Sequence, residues 1–239
     1  FIDFQKAFDK VPHNKLFNVL RDFNIPEKII KVLEAIYQQT TGIIKWKNMY
    51  SNPIPLSIGV HQGDPLSPVL FIAFLDHLMK RIPKVGIKIG ECRTMYRDIA
   101  YADDLVLLAT KQDTLQKLTN HLCKEAKEYN MFINTDKTKL MVFCRKKNKE
   151  QADANTAETP FYVGGKIIER CNEFKYLGRE LTFNNSDSQA IKSRINQARS
   201  ATFKILRLLQ TNIPLKTKMR VIQATICSVL SYGCETWAL

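Results

Sequence analysis

The stretch that most constrains this chain is Ile99-Ala100-Tyr101-Ala102-Asp103-Asp104-Leu105-Val106-Leu107-Leu108, where two adjacent carboxylates separate two apolar, β-prone runs. The pattern predicts a strand, a tight turn at Asp103 and Asp104, and a returning strand. Neighbouring carboxylates are costly to desolvate, because each ionised group repels the other and loses its hydration. A divalent cation removes that cost, and hard oxygen ligands of this kind suit magnesium or manganese. On these residues alone two readings stand: a metal-binding turn, or a polar hairpin tip with two solvated aspartates.

A second acidic position lies in Phe1-Ile2-Asp3-Phe4-Gln5-Lys6-Ala7-Phe8-Asp9. Asp3 falls inside an otherwise apolar run that predicts a buried strand, an expensive place for a lone charge. A third carboxylate beside Asp103 would complete a site for two metal ions about 3.5–4 Å apart, of the kind used by polymerases and nucleases.

Three further strings follow in order: Gly59-Val60-His61-Gln62-Gly63-Asp64-Pro65-Leu66-Ser67-Pro68, Ile133-Asn134-Thr135-Asp136-Lys137-Thr138-Lys139 and Phe174-Lys175-Tyr176-Leu177-Gly178. With Phe1 to Asp9 and Tyr101-Ala102-Asp103-Asp104 they make five motifs over about 180 residues. In this series the chain resembles reverse transcriptases, most closely the LINE-type (non-LTR retrotransposon) branch. The closing Ser231-Tyr232-Gly233-Cys234-Glu235-Thr236-Trp237 is similar to LINE-type elements in particular.

The resemblance implies an α+β fold: a polymerase palm, an antiparallel sheet with helices packed on one face, over residues 1–182, then a helical basic thumb over 183–239. It implies an RNA-directed DNA polymerase that joins dNTPs to a primer 3′-OH on an RNA template. Asp3, Asp103 and Asp104 would hold two Mg2+ ions, with Mn2+ the alternative. Lys137 would be the general acid to the departing pyrophosphate, with Lys139 close by and not excluded. Phe4, Ala7, Phe8, Gln62 and Gly63 would form the nucleotide pocket, with Phe8 as the steric gate against a ribose 2′-OH. Tyr176, Leu177 and Gly178 would be the primer grip. The implied partners are an RNA template, a DNA primer and dNTP, acting inside the cell, in the nucleus or the cytoplasm. The chain starts within a strand without an initiator Met, so it is expected to be a fragment lacking the fingers. The rival readings are a catalytically inactive, retrotransposon-derived nucleic-acid-binding domain, and RNA-directed RNA synthesis, for which a bulky Phe8 is unhelpful.

Composition adds one constraint. The net charge of +13 suggests a polyanionic partner, since basic residues gain affinity by releasing counterions from phosphates. Beyond about Ser186 the balance shifts further: from Lys192 onward eight basic residues (Lys192, Arg194, Arg199, Lys204, Arg207, Lys216, Lys218, Arg220) face Glu235 alone, a balance of +7. Ile191, Ile195, Ala198 and Ile205 predict an apolar stripe beneath those charges. The six cysteines form no Cys-x-x-Cys pair and are expected to be reduced core residues, and the four histidines are dispersed. No apolar run approaches the length of a membrane span.

Local patterns predict helices after Pro12 and after Pro26, the second with Ile29, Ile30, Leu33, Ile36 and Tyr37 on one face. Strands are expected over residues 41–47 and 52–58, then a helix over 66–80 that is apolar nearly all round and so buried. A capping box at Thr110 and Asp113 would open an amphipathic helix to about Tyr129. Arg145 to Thr159 is expected to be a surface loop, and Gly164-Gly165 a two-residue hairpin turn.

Overall fold

The computed structural model describes residues 1–91, 94–143 and 159–236. The basic run that begins at Arg145 lies outside the described residues, as do Cys92, Cys144 and Trp237. The chain divides into two compact units, one of Phe1–Leu140 with Thr159–Glu169, the other of Met141–Glu158 with Arg170–Leu239. The hairpin over 173–182 falls in the second of these units.

The first unit is built on amphipathic helices whose apolar residues recur at three- and four-residue steps. Helix α1 (His13–Asp22) buries Leu16, Phe17, Val19 and Leu20. Helix α2 (Glu27–Gln39) follows Pro26 and buries Ile30, Leu33 and Tyr37. Helix α3 (Ser67–Lys80) buries Leu70, Phe71, Phe74, Leu75, Leu78 and Met79. Helix α4 (Gln112–Glu128) buries Leu118, Thr119, Leu122 and Ala126. The strands pair as antiparallel couples: β1 (Thr41–Gly42) with β4 (Ile54–Pro55), and β2 (Lys45–Trp46) with β3 (Met49–Tyr50). Further on, β5 (Ile87–Lys88) pairs with β6 (Met95–Tyr96), and β7 (Asp98–Tyr101) with β8 (Asp104–Leu107).

One core gathers Ile2, Phe4, Phe71, Phe74, Leu105, Leu107, Leu122 and Met131. A satellite cluster of Phe161, Val163 and Ile168 lies around the expected Gly164-Gly165 hairpin, β9 (Tyr162–Val163) with β10 (Lys166–Ile167), and packs on Leu115, Cys123, Ile133 and Leu140.

Several local expectations are corrected. Helix α3 buries one stripe only, leaving Val69 and Ile72 more than half exposed, so it is not enclosed all round. On α2, Ile29 and Ile36 likewise stay outside while Ile30, Leu33 and Tyr37 turn inward. The strands expected over 41–47 and 52–58 shrink to two-residue ladders, because Ile43, Ile44, Trp46 and Met49 find no apolar surface to pack against. The capping box fails by one residue: α4 starts from Lys111 as N-cap, with no side-chain cap, which leaves Thr110 out of position. Of the described thiols, Cys123, Cys171 and Cys234 are half-buried and Cys227 is exposed, so none is fully buried, although Cys123 packs against the satellite cluster.

The second unit carries the hairpin β11 (Glu173–Tyr176) and β12 (Arg179–Thr182), paired from Glu173↔Thr182 to Tyr176↔Arg179. Helix α5 (Asp187–Gln210) follows, then α6 (Leu215–Ile222), a π-helical turn (Gln223–Cys227) and the short α7 (Ser228–Ser231). The predicted stripe on α5 is only partly realised: Ala198 is buried, Ile191 and Ile205 are half-buried, and Ile195 is exposed. No described helix is long and apolar enough to cross a membrane.

Candidate active site

The site grows from β7 and β8. Tyr101 pairs with Asp104, so Ala102 and Asp103 are the two loop residues, and Ala102 takes φ +52°. Positive φ at the first loop position suits the right-handed twist of a two-residue hairpin. Along β8, Leu105, Val106 and Leu107 are all buried, which anchors the strand while Asp103 and Asp104 stay at its exposed mouth.

The free edge of β8 is taken by the first residues of the chain. Ile2 N–H donates to the Leu105 carbonyl at 2.7 Å in an antiparallel bridge. The opposite edge of the same segment is held by residues 131–139. Phe4 bridges Ile133, Gln5 N–H donates to Phe132 O at 2.8 Å, and Asn134 N–H donates to Asp3 O at 2.7 Å. The Asp3 N–H donates to Thr138 Oγ1 at 3.2 Å. Ile2 and Phe4 are 6% and 5% exposed, and each buried side chain of this size is worth roughly 1.5–3 kcal/mol. Their inward direction forces Asp3, half-buried, to the other face by the two-residue period of a strand.

This brings Asp3 into the electrostatic range of the Asp103-Asp104 turn. Burial is the largest influence raising the Asp104 carboxyl above its ordinary value, followed by the charges of Asp103 and then Asp3. Among the described residues, no three His, Cys, Asp or Glu side chains are gathered closely enough to hold an ion as they stand. The donor chemistry nevertheless fits a hard divalent cation: oxygen ligands only, and mutual repulsion that an ion would relieve.

Around residues 8–12 a second group forms. Gly59 N–H donates to Val11 O and Val60 N–H to Phe8 O, both at 2.8 Å. Gly59 adopts φ +91°, and a Cβ there would lie 2.8 Å from the Asp9 carbonyl oxygen, so only glycine fits this crossing. Phe8 is half-buried and stacks on Phe71 of α3, with centroids 4.3 Å apart and planes at 22°. Gln62 is exposed beside Gly63, and its Nε2 donates to Asp9 Oδ1 at 3.2 Å. Phe4 and Ala7 differ from these three: both are buried, so their side chains serve the core and only their backbone can face a ligand.

Lys137 and Lys139 part company. Lys139 Nζ is paired with Glu169, whose carboxyl that amine holds below the usual range. Lys137 is exposed on a turn where Asn134 Oδ1 accepts the amides of Asp136 and Lys137 at 3.2 and 3.4 Å. Tyr176, Leu177 and Gly178 sit at the tip of the β11–β12 hairpin in the second unit.

Three aromatic residues that the sequence did not mark as a group meet at the Gly59–Gly63 loop. His13 Nε2 lies 2.7 Å from the Gly59 carbonyl, the His13 ring meets Tyr37 edge-on at 4.7 Å, and Tyr37 stacks on His61 at 5.1 Å. Burial, as the main influence, pushes the Tyr37 hydroxyl above its ordinary value. They come from three separate segments, and helical spacing marks only Tyr37.

The family model described as reverse transcriptase (RNA-dependent DNA polymerase) matches residues 1–181. The chain is similar to the retrovirus-related Pol polyprotein from the type-2 retrotransposable element R2DM of Drosophila melanogaster, at 31% identity over 92% of this chain and 20% of that protein. It is similar to the corresponding polyprotein of the type-1 element R2 of Nasonia vitripennis, at 28% over 74% of this chain and 17% of that one. A probable RNA-directed DNA polymerase from transposon BS of Drosophila melanogaster is 25% identical over the whole chain, which spans 26% of it.

Proposed function

We propose, from the premise that this chain belongs to the reverse transcriptase (RNA-dependent DNA polymerase) family, that it carries the nucleotidyl-transfer site of a LINE-type element, extending a DNA primer with dNTPs along an RNA template. The observation that carries this reading is that Asp3, about a hundred residues away in sequence, lies on a segment bridged antiparallel to β8 and within electrostatic range of Asp104. Asp3, Asp103 and Asp104 would hold Mg2+, or Mn2+ in its place, which supplies charge neutralisation at the triphosphate and acidifies the primer hydroxyl.

The remaining steps fall to the chain's own groups. Phe8, backed by Phe71, cannot swing away from the sugar and so disfavours a ribose 2′-OH. Gln62, tethered through Asp9, lines the nucleotide and template pocket without adding charge. Lys137 Nζ, which has no ion pair with a carboxylate among the described residues while Lys139 is engaged by Glu169, delivers the proton to the leaving pyrophosphate. The tip Tyr176-Leu177-Gly178 presents the primer end, and the basic helices from Lys192 onward follow the duplex backbone as a thumb. Such substrates place the activity inside the cell, in the nucleus or the cytoplasm.

Primer extension on an RNA template tests the reading. Asp103→Asn is expected to abolish incorporation while duplex binding persists, and extension equal to the parent's would refute the assignment. The basic second unit by itself supports a second reading, duplex binding without turnover; that reading predicts salt-sensitive binding indifferent to magnesium and to loss of Asp3.

A further inference from the structure

The tip of the β11–β12 hairpin is a two-residue loop, Leu177 at φ +47° and Gly178 at φ +79°. Carbonyls in such a loop ordinarily face water. Here both are captured by side chains. The Tyr232 hydroxyl donates to the Leu177 carbonyl at 2.9 Å, and Arg194 Nη2 donates to the Gly178 carbonyl. The two captors also hold each other, since the Arg194 guanidinium carbon lies 4.4 Å from the centre of the Tyr232 ring. Arg194 Nη1 is fixed in turn by Gln197 Oε1 at 2.9 Å.

The loop is fitted to this arrangement. A Cβ on Gly178 would come within 3.3 Å of Tyr232 Cε1 and 3.4 Å of Arg194 Nη2, besides the strain of its positive φ. Further down the hairpin, Glu180 accepts from Ser193 at 2.9 Å, Glu173 accepts from Gln189 at 2.8 Å, and Arg179 pairs with Asp187, all three partners on α5. The body of the hairpin is therefore seated on α5, while its tip is locked by one residue of α5 and one from the chain's last turns.

We infer that Arg194 and Tyr232 are positioning residues, a two-point clamp that fixes the carbonyls of Leu177 and Gly178 and so sets where this tip can present a primer terminus. The inference rests on the primer-grip reading above. It also gives a role to the Ser231-Tyr232-Gly233 string, which the transfer chemistry leaves unused. A consequence separates it from the obvious alternative: the Arg194 guanidinium is consumed by a carbonyl and a ring, so it is not one of the cations that bind duplex phosphates, unlike exposed Lys204.

Tyr232→Phe removes only the hydroxyl and keeps the ring beneath the guanidinium; Arg194→Gln removes the second point. Two measurements on this chain test the clamp: amide exchange at the closing pair Tyr176 and Arg179, and crosslinking of an RNA–DNA primer–template duplex with a photoreactive 3′-terminal nucleotide. In each variant, exchange at those amides is expected to rise about 3- to 10-fold, the worth of one hydrogen bond. Crosslink yield at residues 176–178 falls by a similar factor, while duplex affinity and its salt slope stay unchanged. Lys204→Gln is the converse control, lowering the slope by about one without moving the crosslink. Unchanged exchange in both variants overturns the clamp. Faster exchange with undiminished crosslinking overturns the positioning role alone. A parent chain whose primer end crosslinks elsewhere overturns the primer-grip reading beneath it. A reduced salt slope in Arg194→Gln with a silent Tyr232→Phe makes Arg194 a phosphate contact and refutes the inference.

Discussion

Thr138→Val isolates the tie between the first acidic strand and the Lys137 turn. Thr138 is 1% exposed, and its Oγ1 is the acceptor for the Asp3 amide at 3.2 Å. Valine has nearly the same shape, so no cavity forms and the change reads the lost acceptor. A fully buried amide left without a partner costs about 1–3 kcal/mol. Asp3 is half-buried, so water replaces part of the bond and the expected cost is about 1 kcal/mol. In a chain of 239 residues that lowers Tm by roughly 2–4 °C. The same energy speeds exchange of the Asp3 amide about fivefold. Thr138→Ser is the necessary control: it loses a buried methyl worth about 0.8 kcal/mol, so its Tm falls by a similar amount, yet it keeps the acceptor. Thermal unfolding with residue-resolved amide exchange separates the two. An Asp3 amide that stays protected in the valine variant, or is equally exposed in the serine variant, would refute the reasoning.

Other substitutions probe the neighbouring parts. Gly59→Ala sets a Cβ 2.8 Å from the Asp9 carbonyl at a φ that alanine resists, so a loss of about 3 kcal/mol or more is expected in urea unfolding. Lys137→Ala is expected to slow single-nucleotide incorporation by about 10²–10⁴-fold at unchanged duplex affinity, whereas Lys139→Ala, which removes only the surface pair with Glu169, leaves the rate near the parent's. Asp104→Asn is expected to raise Tm at neutral pH in EDTA, because the raised carboxyl value marks the charged form as the one the fold disfavours, and to reduce the Tm gain on adding Mg2+. An unchanged Tm in EDTA would mean that neither partial burial nor the charges of Asp103 and Asp3 disfavour the ionised Asp104 carboxyl.

What the sequence made legible was local. The Gly164-Gly165 hairpin follows from two-residue turn chemistry and forms as expected, whereas the acidic hairpin forms with its loop one residue earlier, at Ala102-Asp103, so that Asp104 opens β8 instead of sharing the bend. Helices α1, α2 and α4 follow from periodicity, and α4 ends at Glu128, one residue before the expected Tyr129. What stayed hidden depends on partners distant in the chain. Periodicity on α3 could not distinguish enclosure from a single buried stripe, because Val69 and Ile72 face outward although their composition matches their neighbours. The aromatic support of the Gly59 loop joins His13, Tyr37 and His61 from α1, α2 and the loop itself, a meeting that no spacing rule encodes. The division of Lys137 from Lys139 needed Glu169, thirty residues further along and across the satellite hairpin.

The acids are placed by residues that have no part in the chemistry. Sliding the first segment by one residue against β8 would turn Ile2 and Phe4 to the surface and drive Asp3 into the core, since a strand alternates faces with period two. Losing two buried apolar side chains at roughly 1.5–3 kcal/mol each, and burying a charge besides, far exceeds any repulsion that three partly solvated carboxylates exert on one another. Register is therefore decided by Ile2, Phe4 and Leu105, and the electrostatic strain at Asp104 is tolerated as its consequence. Truncating Ile2 or Phe4 should accordingly damage the acidic site while leaving every carboxylate in the sequence, because the hydrophobic pair is what holds Asp3 beside the turn.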